Sequence, residues 1–101
     1  MANAHFSGTI YVDTTGSLTA GAAARVSYIL FTPDAANDLL VLRDGTDGSN
    51  PVKISIKAAT AKHTVFFDFS QRPLVFSGGI YATIAANGTA TIVTTSEGST
   101  P

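Results

Sequence analysis

Residues 52–58, Val-Lys-Ile-Ser-Ile-Lys-Ala, alternate strictly between apolar and polar side chains. Successive side chains of a β-strand point to opposite faces, so this period of two predicts a strand with its apolar side toward a core. Lys53 and Lys57 occupy the other face, and charge of this kind discourages an edge strand from pairing with another chain. The segment therefore predicts an edge strand with one buried and one exposed face.

Short apolar stretches recur about every ten residues along the rest of the chain, with turn residues between them. Eight strands are predicted in all, over residues 8–13, 25–32, 39–43, 52–58, 64–69, 72–76, 80–85 and 89–95. The strand at 25–32 is apolar on both faces in its second half, which predicts a central strand covered from both sides. Pro73 predicts an edge or bulged strand at 72–76, because proline donates no ladder hydrogen bond.

The dipeptide Asn87-Gly88 separates the last two predicted strands. Asn-Gly is the sequence best suited to the tight turn of a two-residue β-hairpin. We therefore expect strands 80–85 and 89–95 to pair with each other.

Eight short strands favour an all-β fold of two packed antiparallel sheets, a β-sandwich of immunoglobulin-like or jelly-roll type, with a small β-barrel as the alternative. A chain of 101 residues can bury one core but not two. The predicted organisation is a single domain over residues 8–95. A flexible amino-terminal arm, residues 1–7, precedes it, and a frayed tail, residues 96–101, follows it.

Charge is scarce in this chain. Charged residues make up 13% of it and the net charge is −1, so no field attracts nucleic acid or an anionic membrane surface. No apolar run approaches the ~18 residues of a membrane span. A near-neutral surface offers little repulsion between copies, which favours self-association. Without cysteine, neither a disulfide nor a thiolate metal site is expected.

Groups suited to catalysis are few, and neither an enzyme nor a cofactor is predicted. His5 and His63 are the only histidines, and Glu97 is the single glutamate; none has the spacing of a metal or catalytic motif. The polar loop at residues 44–50 contains Asp44, Asp47 and Asn50. Its spacing fails the calcium-loop pattern, because Gly48 stands at the third ligand position and no glutamate closes the loop. An exposed turn is therefore favoured over a metal site.

Three aromatic residues fall on the threonine-rich sides of their strands. By parity Tyr11, Phe66 and Tyr81 point outward, where a loop, the edge of the other sheet or another subunit would cover them. Together with Phe6 in the amino-terminal arm, they are the candidate residues of a subunit or partner interface. A platform for stacking sugars is a further alternative for the exposed aromatics.

Three segments carry a resemblance to a known group of proteins: Leu-Leu-Val-Leu-Arg-Asp-Gly (39–45), Val-Lys-Ile-Ser-Ile (52–56) and Arg-Pro-Leu-Val-Phe-Ser-Gly-Gly-Ile-Tyr-Ala-Thr-Ile (72–84). Over residues 25–95 the chain resembles small β-sandwich structural proteins of tailed bacteriophages. The resemblance implies a virion protein, such as a capsid decoration (cement) protein, often a homotrimer. It would be assembled in the host cytoplasm and would bind the major capsid protein or another virion protein at the capsid surface. No functional residue follows from it.

Two functional hypotheses result. In the first, the chain is a virion structural protein that binds through sheet edges and through its arm, which could add a strand to a neighbouring sheet. In the second, it is a carbohydrate- or host-surface-binding module that uses loop 44–50 for recognition and Phe66 or Tyr81 for stacking.

Overall fold

The computed structural model describes residues 5–6 and 8–95, and they form ten β-strands. The strands are β1 (His5–Phe6), β2 (Gly8–Val12), β3 (Gly16–Ser17), β4 (Ala23–Thr32), β5 (Asp38–Asp44), β6 (Val52–Ala58), β7 (Val65–Asp68), β8 (Leu74–Phe76), β9 (Ile80–Ile84) and β10 (Thr89–Thr95). All eight predicted strands are present within two residues of their expected bounds, and β1 and β3 are short additions. None of the described residues belongs to a helix that could span a membrane.

The strands form two separate sheets. The first contains β1, β2, β4, β7, β8 and β10, and the second has the order β3-β9-β5-β6. Pairing is antiparallel throughout, except that β1 lies parallel to β4. Because each described strand pairs only within its own sheet, the two sheets pack as layers rather than closing into a barrel. The predicted β-sandwich is confirmed.

Strand β4 is the centre of the first sheet. One of its edges pairs with β10 and, beyond the end of β10, with β1. Its other edge pairs with β7 and then with β8. The predicted central position is confirmed, but the expected cover on both faces is wrong. In a two-layer fold the outward face has no further layer, so Leu30 is only half-buried while Ile29 and Phe31 are completely buried.

The predicted hairpin between β9 and β10 is wrong. Strand β9 pairs with β3 and β5 in the second sheet, whereas β10 pairs with β2 and β4 in the first. The turn itself is present: Gly88 N–H donates to Ala85 O at 3.1 Å, and Asn87 has a positive φ of 66°. Both strands have partners on both edges, so this turn carries the chain from one sheet to the other instead of closing a ladder.

The core fills the space between the two sheets. It consists of the inward side chains of both layers, including Ile29, Phe31, Leu40, Leu42 and Phe76, which are completely buried. Full burial of an aliphatic or aromatic side chain of this size contributes roughly 1.5–3 kcal/mol. This core fixes which side chains of each strand remain on the two outer faces.

The expected edge position of β6 is confirmed, with Lys53 and Lys57 exposed on its outer side. Of the predicted amino-terminal arm, His5–Phe6 form β1 against β4. The other residues of the arm, and the predicted tail, lie outside the described residues.

Candidate interaction surface

A row of four outward side chains crosses the first sheet from one edge to the other. The pairing register sets Tyr11 of β2 opposite Thr91, Thr91 opposite Leu30, and Leu30 opposite Phe66 of β7. Directly opposed residues in a sheet share a face. With strands about 4.8 Å apart, the row spans roughly 14 Å. Its two ends are the most exposed, Tyr11 at 65% and Phe66 at 56%.

Tyr28 lies beside this row on the same outward face. Its ring stacks on that of Phe66, with centroids 5.7 Å apart and an interplanar angle of 17°. An aromatic pair in this geometry is worth roughly 0.5–1.5 kcal/mol beyond the area it buries. The stack therefore holds the exposed Phe66 ring in one position. We call the surface formed by Tyr11, Tyr28, Leu30, Phe66 and Thr91 the aromatic face.

Sequence parity identified Tyr11 and Phe66 but missed the rest of the aromatic face. Tyr28 and Leu30 alternate with the buried Ile29 and Phe31 along β4, so their outward direction was visible in the sequence. What parity cannot supply is the order of the strands. Only the observed register shows that β2, β10, β4 and β7 bring these side chains into one surface.

Tyr81 does not belong to this surface. It lies on the outward side of β9 in the other sheet and is half-buried. A Cβ on Gly48 would lie 3.8 Å from its Cε1 atom, so the tip of the 44–51 loop covers part of the ring. Phe6 lies in β1, paired with Ala24, and its side chain is outside the described part of the structure.

Asp44 is half-buried and holds a distant turn in place. Its carboxylate accepts hydrogen bonds from the backbone N–H of Gly78 at 2.7 Å and from the N–H and hydroxyl of Ser77 at 3.3 Å each. Three of the roughly four lone-pair sites of an ionised carboxylate are thus occupied by groups of the protein itself. Asp44 therefore ties the loop to the corner between β8 and β9.

Asn50 is likewise half-buried and closes the loop from within. Its side-chain Oδ1 atom accepts hydrogen bonds from the N–H groups of Thr46 and Asp47 at 2.9 and 3.0 Å. Its backbone C=O accepts a further hydrogen bond from the guanidinium group of Arg43. Of the three predicted loop residues, Asp47 is the exposed one. Hydrogen bonds from the hydroxyl and then the N–H of Ser49 lower the pKa of Asp47 below its ordinary value.

Titratable groups do not gather elsewhere in the described residues: no three His, Asp or Glu side chains among them are placed to share a metal ion. His63 is exposed in the turn before β7. The residue before His63, Lys62, forms an ion pair with Asp34 at the surface, with 2.6 Å between Nζ and Oδ1. Exposed pairs of this kind contribute little to stability.

The second sheet carries a different outer surface. Its lysines, Lys53 and Lys57, lie on β6, and an open depression of about 340 Å³ lies near the start of β5. Leu39, Val41 and Thr83 contribute to its lining. The two outer faces of the sandwich therefore differ, one being aromatic and the other partly basic.

No protein-family model matches this chain, and no curated protein or solved structure matches it at a significant level.

Proposed function

We propose that this chain is a structural binding protein that docks onto an apolar surface of another protein through its aromatic face. The observation that carries the proposal is the exposure of Tyr11 and Phe66 at the two ends of one uncharged row. Aromatic residues are enriched in the buried centres of protein interfaces, whereas lysine and glutamate are depleted there. The aromatic face has the composition of such a centre.

The rigidity of the surface supports docking in a fixed geometry. Its side chains stand on four hydrogen-bonded strands, and the Tyr28–Phe66 stack restrains the ring at one end of the row. A pre-ordered surface loses little side-chain entropy on binding, so more of the contact energy appears as affinity.

The more specific form of the proposal is a bacteriophage capsid decoration protein that stabilises the particle by protein–protein contacts. Its support is the sequence resemblance over residues 25–95. Low charge and threonine-rich strands suit a protein that is held in place by many contacts.

The test uses bacteriophage particles purified from cells that carry the genome encoding this chain. We expect the wild-type chain to sediment with the particles, and the double variant Tyr11→Ser/Phe66→Ser to remain soluble and folded in the supernatant. The matched control is Leu39→Ser/Val52→Ser, which removes two apolar side chains of similar exposure from the second sheet. Equal incorporation of both double variants, or no incorporation of the wild type, would contradict the proposal.

Carbohydrate binding is the second candidate, and the parallel Tyr28 and Phe66 rings favour it. A flat sheet surface is less suited to a small ligand than a concave pocket, so we rank this candidate below protein docking. A glycan array distinguishes the two. Binding that Phe66→Ala abolishes and Tyr81→Ala preserves would support the sugar site, and a blank array would exclude it.

A further inference from the structure

The outer edge of β2 is the longest uncharged free edge among the described strands. Within residues 5–6 and 8–95, β2 pairs with β10 on one side and has no strand on the other. Gly8, Thr9 and Tyr11 are exposed along it. A strand edge of this kind presents unpaired backbone N–H and C=O groups, which are a template for another strand.

The hydrogen bonds of Gly8 establish which backbone groups face outward. Its N–H donates to Thr94 Oγ1 at 2.7 Å, and the Thr94 hydroxyl donates to Gly8 O at 2.9 Å. Both polar groups of Gly8 therefore point toward β10. Because this direction alternates along an antiparallel strand, Thr9 and Tyr11 point their N–H and C=O groups toward the free edge.

A second hydrogen bond, on the far side of the sheet, gives the same result. Phe69 N–H donates to Ser27 O at 2.6 Å, so Ser27 and then Ile29 face β7. Because Ile29 faces β7, its neighbour Leu30 faces β10 and pairs there with Thr91. The next residue of β10, Ile92, therefore faces β2 and pairs with Ile10. The backbone groups of Ile10 thus point toward β10, and those of Thr9 and Tyr11 point toward the free edge.

We propose that two copies of this chain associate through their β2 strands, which pair antiparallel about a two-fold axis at Ile10. Thr9 of each copy then lies opposite Tyr11 of the other. Each of these two residue pairs exchanges both of its backbone hydrogen bonds, so all the outward N–H and C=O groups of both residues are satisfied. The exposed Tyr11 ring covers Thr9 of the second copy, and the two first sheets become one continuous sheet.

Charge selects β2 over the other edges. The same two-fold pairing of β6 about Ser55 would set Lys53 of one copy opposite Lys57 of the other, and like charges directly opposed are destabilising. The β7 edge carries Asp68, and Pro73 precedes the three residues of β8. Strand β2 contains no charged residue.

The side of β9 that faces away from β5 is closed by the two residues of β3 and by the residues that flank them. Leu18 N–H donates to Ile80 O, and Thr19 Oγ1 accepts from Ile80 N–H at 3.2 Å. At the other end Thr15 Oγ1 accepts from Ile84 N–H at 3.1 Å. Backbone and side-chain groups thus satisfy positions of β9 that a second copy would otherwise bind, and no comparable closure exists along the described length of β2.

Cysteine cross-linking tests the register directly, because the chain has no native cysteine. Opposed residues of a hydrogen-bonded pair have Cα atoms about 5.5 Å apart, within the range of a disulfide. We expect an oxidised mixture of Thr9→Cys and Tyr11→Cys chains to form the mixed dimer, identified by mass, well above either homodimer. A mixture of Ser55→Cys and Thr83→Cys, both exposed on the second sheet, measures the collision background. A mixed dimer no more abundant than this background would overturn the proposal.

Sedimentation provides a second test that needs no cross-link. The wild-type mass should rise with concentration from 10.4 kDa toward twice that value. Thr9→Pro removes an N–H that faces the free edge, a position at which a strand tolerates proline, so this variant should keep its circular-dichroism spectrum and lose the association. A wild type that stays monomeric, a proline variant that dimerises equally, or a closed trimer would each contradict two-fold edge pairing. These outcomes do not depend on what binds the aromatic face.

Discussion

The carboxylate of Asp44 accepts a 2.7 Å hydrogen bond from the backbone N–H of Gly78, thirty-four residues further along the chain. The same carboxylate accepts bonds from Ser77, and the neighbouring Gly45 N–H donates to Gly79 O at 3.0 Å. These bonds join the end of β5 to the turn that begins β9. Asp44, at the start of the longest polar loop, thus stabilises the second sheet.

Replacing Asp44 by alanine should destabilise the fold, because the N–H groups of Ser77 and Gly78 lose their acceptor. We expect a loss of roughly 1–2 kcal/mol in the free energy of unfolding, measured by urea denaturation. Asp47→Ala is the control, since the hydrogen bonds of Asp47 remain within its own loop. If the two variants lose equal stability, Asp44 does not have the role described.

Gly79 is a second position at this corner where the sequence allows little change. Its φ is +106°, and a Cβ would lie 2.9 Å from the Cα atom of Gly21. Gly79→Ala should cost roughly 1–3 kcal/mol from backbone strain alone, with the clash adding to it. Gly16→Ala, which meets no atom within 4 Å, should leave the melting temperature unchanged or slightly raised. Equal melting temperatures for the two variants would show that the corner can relax.

The strands were predictable from sequence because each one alternates against a single core. The period of two in β6 gave the buried Ile56 and Ala58, and its lysines gave its position at an edge. The expected burial of Val52 is wrong, because this first residue of the strand is 51% exposed. In β7 the same parity gave Phe66 as the outward aromatic residue, which the structure leaves 56% exposed. Local pattern is sufficient for these properties because burial on one face is decided within the strand.

Strand order was not predictable, and the β9–β10 connection shows why. Asn87 adopts the positive φ expected of a turn residue, yet the strands on either side of it lie in different sheets. The stacked layers of a sandwich are only about 10 Å apart, so a short turn can join them as readily as it joins neighbours in one sheet. The aromatic face depends on strand order, and for that reason the sequence supplied its ends, Tyr11 and Phe66, but not its middle.

Thr94 secures the first residue of β2 through its side chain. The threonine is 6% exposed, and its hydroxyl bonds both to the N–H and to the C=O of Gly8. Thr94→Val keeps the shape but leaves both groups without this partner, which should cost roughly 1–3 kcal/mol. Hydrogen exchange at the amide of Gly8 should accelerate in this variant. Thr91→Val, on the outward side of the same strand, should leave that exchange rate unchanged; acceleration in both variants would contradict the assignment.

Asp68 makes the stability of this fold sensitive to acid. Hydrogen bonds from the Ser70 side chain and then from its backbone N–H lower the pKa of Asp68 below its ordinary value of 3.8. The folded state therefore favours the charged carboxylate, which adds stability above the unfolded-state pKa and loses it as the pH falls through the lower folded-state value. The urea concentration at the midpoint of unfolding should decrease as the pH is lowered below about 4.

The variant Ser70→Ala tests this origin of the acid sensitivity. Its Asp68 pKa, followed by nuclear magnetic resonance, should rise toward the ordinary value, and the acid dependence of its stability should weaken. The control Ser55→Ala should change neither property. A pKa that is the same in wild type and Ser70→Ala would show that the serine hydroxyl does not hold the carboxylate in its charged form.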